Sequence, residues 1–348
     1  MTITDANQPS PSGVSTRAGL GVTALLISAI IAGSMIGLSS ATTGEILSSG
    51  IDQTLLVLIS LLFFEVRLRS VAKGFTNFRF IGLALAANYL IVPLIGFAIA
   101  SLFLTGQPLL FTGLMIYFLA PCTDWFLGFT RMAKGNTALG AALLPINMIV
   151  QLLLYPLWLW GLTRHMGVVD FAGIPNLLLQ WFLLPFVAAQ VARALCAKVL
   201  SAGFFQRLTD WIGLAIPFVT AALILQIFAG NISTIADHAA TASGIVLAIL
   251  LFFVATFLVS EILSRLFQLK HPEHALLTMT TAARNAPLML AVTAVAIPDQ
   301  PLVYMALIVG MIAEFPHLTA LKQLLLAQAA RKKRSNDTSL QGSSGAHH

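Results

Sequence analysis

The sequence predicts an all-α membrane protein of ten transmembrane helices, built as two inverted five-helix repeats with broken fourth and ninth helices. Three observations predict it: the composition, the apolar runs with the basic residues between them, and two matching interruptions. Of 348 residues, 58% are hydrophobic and only 9% are charged, whereas a soluble globular chain carries about 25% charged residues. So few charges cannot cover a soluble surface, and the composition also excludes disordered, disulfide-rich and nucleic-acid-binding classes.

Ten apolar runs are candidates for bilayer-crossing helices, each of which needs roughly 20 residues. The second run is the shortest. The segments between the runs are short and leave no room for an inserted soluble domain. The runs are residues 20–38, 51–64, 79–104, 109–132, 136–160, 174–195, 209–229, 243–267, 274–297 and 301–326.

The positions of lysine and arginine support the count of ten. With a cytoplasmic N-terminus, 17 of the 19 basic residues fall in cytoplasmic segments, as the positive-inside rule expects. Of the other two, Arg164 lies in an outside loop and Arg284 lies within a span. We therefore expect a multi-pass protein of the plasma membrane with both termini cytoplasmic. Polar, disordered tails are expected at residues 1–18 and 329–348.

The transporter domain, residues 19–328, divides into two halves of five spans, residues 19–160 and 174–326. Because each half has an odd number of spans, the second half must be inserted upside down relative to the first. Inverted repeats are typical of secondary transporters, whose substrate site lies near mid-membrane where helices are interrupted. We therefore expect an interruption in the fourth span of each half.

Both spans contain such an interruption. The fourth reads LLFTGLMIYFLAPCTDWFLGFTRM, in which Pro121 disfavours helix before it and Thr123 or Asp124 can cap a new helix. The ninth reads HALLTMTTAARNAPLMLAVTAVAI, in which Asn285 can cap a helix that has Pro287 in its first turn. Non-helical backbone at this depth is tolerated only in the protein interior or along a polar cavity. The two breaks therefore predict a binding site.

Three ionisable side chains, Asp124, Arg284 and Glu314, lie near the middle of apolar spans. Each costs roughly 2.5–3.5 kcal/mol at the bilayer centre, so such residues usually pair and mark a transport pathway. Two carboxylates and one guanidinium leave one uncompensated negative charge, which takes up a proton or binds a cation. We expect Arg284 to pair with one carboxylate and Glu314 to carry the coupling H⁺ or Na⁺. A purely architectural ion pair is the alternative.

Two further residues are candidates by position. Cys122 lies beside the first break, although a lone membrane cysteine is often only an inert small residue. Asn147, on the fifth span, either lines the cavity or joins helices by hydrogen bonds. The sequence has no HExxH or GxSxG motif, and its seven histidines are scattered without metal-ligand spacing. We therefore expect no enzyme, no metal site and no cofactor.

Five segments occur in a fixed order along the spans. They are NYLIVP in the third span, APCTDW in the fourth, MAKGNTALGAALLPINMIVQLLLYPLWLW leading through the fifth, ARNAPL in the ninth and EFPHL in the tenth. This ordered set resembles the arsenite-efflux permeases of the bile acid:sodium symporter superfamily. The resemblance extends over nearly all of residues 20–326.

The resemblance implies a panel of spans and a core in which the broken fourth and ninth helices cross at mid-membrane. Cys122 falls where arsenite permeases carry a cysteine needed for metalloid transport, and Glu314 matches their tenth-span glutamate. The superfamily's sodium sites correspond here to Thr123, Asp124, Asn147, Arg284, Asn285 and Glu314.

Two departures from the family pattern bear on coupling and substrate. Arg284 stands where sodium-coupled members carry glutamine, and a guanidinium repels a cation, which favours protons or a single sodium ion. Arsenite permeases usually carry an acidic residue at the position of Pro287, whereas this chain has an acid at Asp124 instead.

We predict a secondary active transporter that exports arsenite or antimonite in exchange for protons. Arsenous acid is neutral near pH 7 and soft, so a single thiol suits it. The alternative is a sodium- or proton-coupled transporter of a small organic anion, received by Arg284 beside a helix N-terminus. The expected partners are the substrate, H⁺ or Na⁺ and the lipid bilayer, with no nucleic acid; the oligomeric state is left open. The predicted substrate-binding residues are Cys122, Thr123, Asp124, Arg284 and Asn285, and the ion-coupling residues are Glu314, Asp124 and Asn147.

Overall fold

The structure, a computed structural model, describes residues 16–65, 77–122, 125–166, 183–237 and 239–344. Regular structure in these ranges is helical, apart from one isolated β-bridge. The α-helices are α1 (Thr16–Ser39), α2 (Ala41–Ser48), α3 (Ile51–Glu65), α4 (Phe78–Ala86), α5 (Val92–Phe103), α6 (Pro108–Leu119), α7 (Phe126–Met132), α8 (Thr137–Thr163), α9 (Leu184–Val199), α10 (Ala202–Asp237), α11 (Ala239–Leu266), α12 (His271–Ala282), α13 (Ala286–Ala296) and α14 (Pro301–Ser344).

Six stretches of the described chain are long and apolar enough to cross a membrane: Gly21–Ser39, Ala41–Glu65, Phe78–Phe103, Ala202–Asp237, Ser243–Leu266 and Pro301–Arg331. The helices Pro108–Leu119 and Thr137–Gln151 are apolar but shorter. The expected sixth span begins outside the described residues, and the fourth and ninth are each split into two half-helices. The all-helical, multi-pass membrane class is confirmed, while the count of ten and the inverted repeats stay predictions.

Short polar side chains begin several helices by accepting hydrogen bonds from amides of the first turn. Asn77 accepts from the amide of Phe80 (3.2 Å) at α4, and Asn136 accepts from the amide of Leu139 (3.0 Å) at α8. A π-helical segment, Ala87–Ile91, joins α4 to α5. Such segments are frequent at functional sites, and this one carries the buried residue Asn88.

The helices pack in two groups. In the first, α1 packs along α10, α10 also packs on α2 and α3, and α3 packs on α9. In the second, α6 packs on α5 and α14, α11 on α12, and α13 on α14. Leu110–Leu119 of α6 and Ala275–Ala282 of α12 are buried on all sides. Both broken helices therefore end in the protein interior.

Candidate functional site

The expected helix breaks are both present, at the ends of α6 and α12. Proline has no amide hydrogen and disfavours helix in the residue before it, and Ala120, before Pro121, is extended (φ −107°, ψ 98°). Ala283, after α12, is extended as well (φ −77°, ψ 138°). Pro121 and Arg284 then face each other in an isolated antiparallel β-bridge.

Backbone hydrogen bonds join the two breaks. The amide of Cys122 donates to the carbonyl of Ala283 (3.0 Å), and the amide of Asn285 donates to the carbonyl of Ala120 (2.9 Å). Backbone polar groups in a membrane protein must find partners within the protein. The two unwound stretches therefore stabilise each other; we call this region the crossing.

Asn285 begins α13 differently from our expectation. Its side chain makes no capping hydrogen bond to the first turn, while its carbonyl accepts from the amide of Met289 (3.0 Å). The ψ angle of Asn285, 57°, lies further from the extended region typical of N-caps than those of Asn77 (71°) and Asn136 (88°), which do cap their helices. The side-chain cap predicted at Asn285 is therefore wrong, whereas Pro287 does lie in the first turn.

Glu314, on α14, touches both breaks with one carboxylate. Its exposed fraction is 0%. One oxygen, Oε1, accepts from the backbone amide of Arg284 (3.0 Å) and from Nε1 of Trp125 (3.0 Å). The hydroxyl of Tyr117 lies 3.5 Å from Oε2 and 3.1 Å from the carbonyl of Gly310. A change in the charge of Glu314 therefore alters hydrogen bonds to both broken helices.

The guanidinium of Arg284 is also fully buried, and it is surrounded by oxygen atoms. Nη1 donates to the carbonyl of Phe118 (3.0 Å). Nη2 donates to Oδ1 of Asn88 (3.3 Å) and to the carbonyls of Thr280 (3.1 Å) and Thr281 (2.6 Å). Four acceptors thus use both terminal nitrogens.

The expected ion pair of Arg284 is not found among the described residues. Glu314 accepts from the backbone amide of Arg284, while the hydrogen bonds of the guanidinium go to neutral oxygens. The Cζ atom of Arg284 lies over the ring of Phe252, 5.7 Å from its centre. The other expected carboxylate, Asp124, lies outside the described residues.

Cys122 lies inside the crossing, immediately after Pro121. It is 1% exposed and packs in the apolar cluster that includes Phe126 and Phe315. Cys122 therefore lies at the same crossing as Trp125 and Arg284, the partners of Glu314. Thr123, like Asp124, lies outside the described residues.

Asn147 belongs to a buried polar cluster beside the crossing. Its Nδ2 donates to Oγ1 of Thr280 (3.3 Å), which also accepts from Nδ2 of Asn88 (3.2 Å). The hydroxyl of Tyr89 donates to the carbonyl of Asn147 (2.5 Å). Oδ1 of Asn147 is buried with no hydrogen-bond partner in the described chain, so the cluster has one oxygen free to bind a ligand or a water molecule.

Four residues at the site were missed by sequence reasoning: Asn88, Tyr117, Trp125 and Thr280. Asn88 lies in the NYLIVP segment and Trp125 in the APCTDW segment. Because both segments carry the family resemblance, these two residues could have been predicted from it. Tyr117 and Thr280 carry no local signal, because an apolar span commonly contains a tyrosine or a threonine. Their importance comes only from contacts to distant residues.

A small cavity of about 10 Å³ lies between the crossing and helices α1 and α10. This is room for about one water molecule. The lining residues are Val22, Leu26, Trp125, Pro217, Thr220, Pro287 and Met311. Residues next to both breaks and residues of the first group of helices therefore line the same cavity.

Comparisons with known proteins show which family the chain belongs to. The sequence profile of the Sodium Bile acid symporter family matches residues 53–238, more than half of the chain. The chain is 26% identical over 276 residues to the arsenical-resistance protein Acr3 of Corynebacterium glutamicum, an alignment that covers 75% of the chain and 74% of that protein. It is 27% identical over 186 residues to the probable sodium/metabolite cotransporter BASS2, chloroplastic, of Oryza sativa subsp. japonica; this alignment covers 53% of the chain and 42% of the relative.

These matches confirm the resemblance on which the sequence prediction drew. A transporter family implies a small substrate and a coupling ion, in keeping with several apolar helices and a polar site buried among them. The chain is a multi-pass membrane transporter, and it belongs to the Sodium Bile acid symporter family.

Proposed function

We propose that the chain exports arsenite or antimonite across the plasma membrane in exchange for protons. One observation carries the proposal: a cysteine and a buried carboxylate meet the same pair of helix breaks. The backbone amide of Cys122 donates a hydrogen bond to the carbonyl of Ala283. The residue after Ala283, Arg284, donates a hydrogen bond from its backbone amide to Glu314. The similarity to a protein named for arsenical resistance supports the substrate class.

The thiol of Cys122 provides a reversible bond to the substrate. It replaces one hydroxyl group of arsenous acid, forming one sulfur–arsenic bond and releasing one water molecule; the reverse reaction frees the substrate. A soft thiolate suits arsenic better than carboxylate or hydroxyl oxygens do. Because Cys122 is buried, access requires the crossing to open to one side of the membrane at a time.

Glu314 couples this opening to the proton. Its carboxylate holds the amide of Arg284 and the indole of Trp125, one donor from each break. Adding a proton weakens these charge-assisted bonds. Protonation therefore changes the relative stability of the two conformations in which the crossing is open to one or the other side of the membrane.

The predicted architecture and the remaining site residues have roles in the same mechanism. Ten spans form two inverted repeats, residues 19–160 and 174–326, with both tails in the cytoplasm. Thr123, Asp124 and Asn285 join Cys122 around the substrate, and Asn147 assists ion coupling. Arg284 supports the substrate site by holding the two breaks together, since its terminal nitrogens already donate hydrogen bonds to four oxygens.

The second candidate is a sodium- or proton-coupled transporter of a small organic anion. The similarity to a relative named as a sodium/metabolite cotransporter favours it. It requires the Arg284 guanidinium to leave its oxygen acceptors and turn to the substrate. This candidate predicts anion uptake that Arg284→Ala abolishes, with no arsenite phenotype.

Growth of an efflux-deficient strain on arsenite and antimonite separates the candidates. We expect the chain to confer resistance and Cys122→Ser to reduce it to the level of an empty vector, because a hydroxyl is a poor ligand for arsenic. Cys196→Ser, which removes the half-buried cysteine of α9, is the matched control and should keep full resistance. Full resistance in Cys122→Ser would remove the thiol from the mechanism.

A further inference from the structure

The Arg284 guanidinium is a buried cation stabilised by neutral oxygens. Its acceptors are three backbone carbonyls and one amide oxygen, at 2.6–3.3 Å. No carboxylate of a described residue forms an ion pair with it. An arginine side chain stays charged in proteins, and among the described residues its guanidinium hydrogen-bonds only to these neutral oxygens.

The break in α6 frees one of these carbonyls. In an intact helix, the carbonyl of Phe118 would accept from the amide four residues later, that of Cys122. That amide donates to Ala283 across the crossing instead. The carbonyl of Phe118 is thereby left to accept from Arg284.

The break in α12 frees the other two carbonyls in the same way. The helical partner of the Thr280 carbonyl would be the amide of Arg284, which donates to Glu314. The helical partner of the Thr281 carbonyl would be the amide of Asn285, which donates across the crossing. Both freed carbonyls accept from Nη2 of Arg284.

Freed carbonyls at helix C-termini form a typical ligand set for alkali-metal cations. Unwound backbone carbonyls and helix C-terminal ends coordinate Na⁺ in transporters, and rings of carbonyl oxygens coordinate K⁺ in channels. Here α6 and α12 both point their C-terminal ends, which carry partial negative charge, at one position. Asn88 adds a fourth oxygen.

We propose that the Arg284 guanidinium is a chain-borne cation that permanently fills a carbonyl-lined cation site, so that this site takes no alkali-metal ion during transport. The guanidinium satisfies the carbonyls that the two breaks release, and it holds the crossing together without an external ion. This inference goes beyond the proposed function and does not depend on the substrate. It leaves Glu314 as the carboxylate at the described crossing that is free to exchange an ion.

The test is to remove the guanidinium and ask whether the vacated site binds Na⁺ or K⁺. Purified Arg284→Ala is unfolded by heat in detergent, in NaCl or KCl against choline chloride at equal ionic strength. We expect an alkali-metal cation to raise the unfolding midpoint of Arg284→Ala by about 3 °C or more. Wild type and Arg284→Lys, which keeps a tethered cation, should show no such specific rise.

No cation-specific rise in Arg284→Ala, or an equal rise in wild type, overturns the proposal. If Arg284→Ala yields no folded protein, the comparison is made between Arg284→Lys and Arg284→Met, which differ in charge but little in length. We then expect monodisperse Arg284→Lys at near wild-type yield and Arg284→Met at least fivefold lower; equal yields overturn the proposal. Because both assays measure stability, a failure here is distinguishable from a failure of arsenite export.

Discussion

Three buried side chains at the crossing differ in what each can exchange. In the proposed mechanism, the thiol of Cys122 binds a soft substrate and the carboxylate of Glu314 binds a proton. Both terminal nitrogens of Arg284 already donate, to four oxygens in total, while its Nε has no hydrogen-bond partner among the described residues. All three residues are almost completely buried. Burial therefore does not distinguish their roles, and their hydrogen bonds do.

Removing the charge of Glu314 should remove the pH dependence of transport. In Glu314→Gln the amide side chain keeps the size of the carboxyl group but takes up no proton. We expect arsenite flux in everted vesicles to become insensitive to an imposed pH gradient and to fall at least tenfold under that gradient. Glu45→Gln, at an exposed residue of α2, is the control and should behave as wild type. An unchanged pH and sodium dependence in Glu314→Gln contradicts the coupling role.

Close packing of helices α1 and α10 depends on glycines that face backbone atoms. A Cβ atom added at Gly33 would lie 2.4 Å from the carbonyl oxygen of Leu225, and one added at Gly37 would lie 2.4 Å from that of Ala229. A backbone carbonyl cannot rotate away as the end of a side chain can. These two positions therefore fix how closely α1 approaches α10.

We expect Gly37→Ala to destabilise the protein by about 1–3 kcal/mol, because α1 must move away from α10. The measurement is the thermal unfolding midpoint of the purified protein. Gly21→Ala in the same helix is the matched control, since no atom lies within 4 Å of an added Cβ. Equal midpoints for the two variants would show that α1 is not packed as described.

The orientation of the broken helices is a property of the whole molecule. The exposed residues Thr105 and Lys134 flank the pair α6 and α7, and the exposed residues Lys270 and Asp299 flank the pair α12 and α13. Inverted repeats require these two pairs to cross the membrane in opposite directions. The distribution of basic residues predicts that Lys134 and Lys270 lie on the cytoplasmic side.

Single cysteines at these four positions test the arrangement in intact cells, with Cys196 replaced by serine. We expect a membrane-impermeant maleimide to label cysteine at positions 105 and 299 from outside. Labelling at positions 134 and 270 should require permeabilised cells. If the reagent labelled both position 134 and position 299 in intact cells, the two positions would lie on the same side of the membrane. That result would exclude the inverted repeat.

The sequence by itself determined the membrane class, the two helix breaks and the main candidates Cys122, Arg284 and Glu314. These follow from local properties: mean hydropathy, the missing amide of Pro121, and the cost of a charge in an apolar span.

Only the tertiary structure decided which groups the breaks bring together. Three of these hydrogen bonds join residues more than 150 positions apart: Cys122 to Ala283, Arg284 to Phe118 and Arg284 to Asn88. Local sequence carries no signal for such pairings, since the freed carbonyls belong to the backbone and are the same for every residue type. Whether a buried guanidinium meets a carboxylate or a ring of carbonyls therefore depends on how the two broken helices cross.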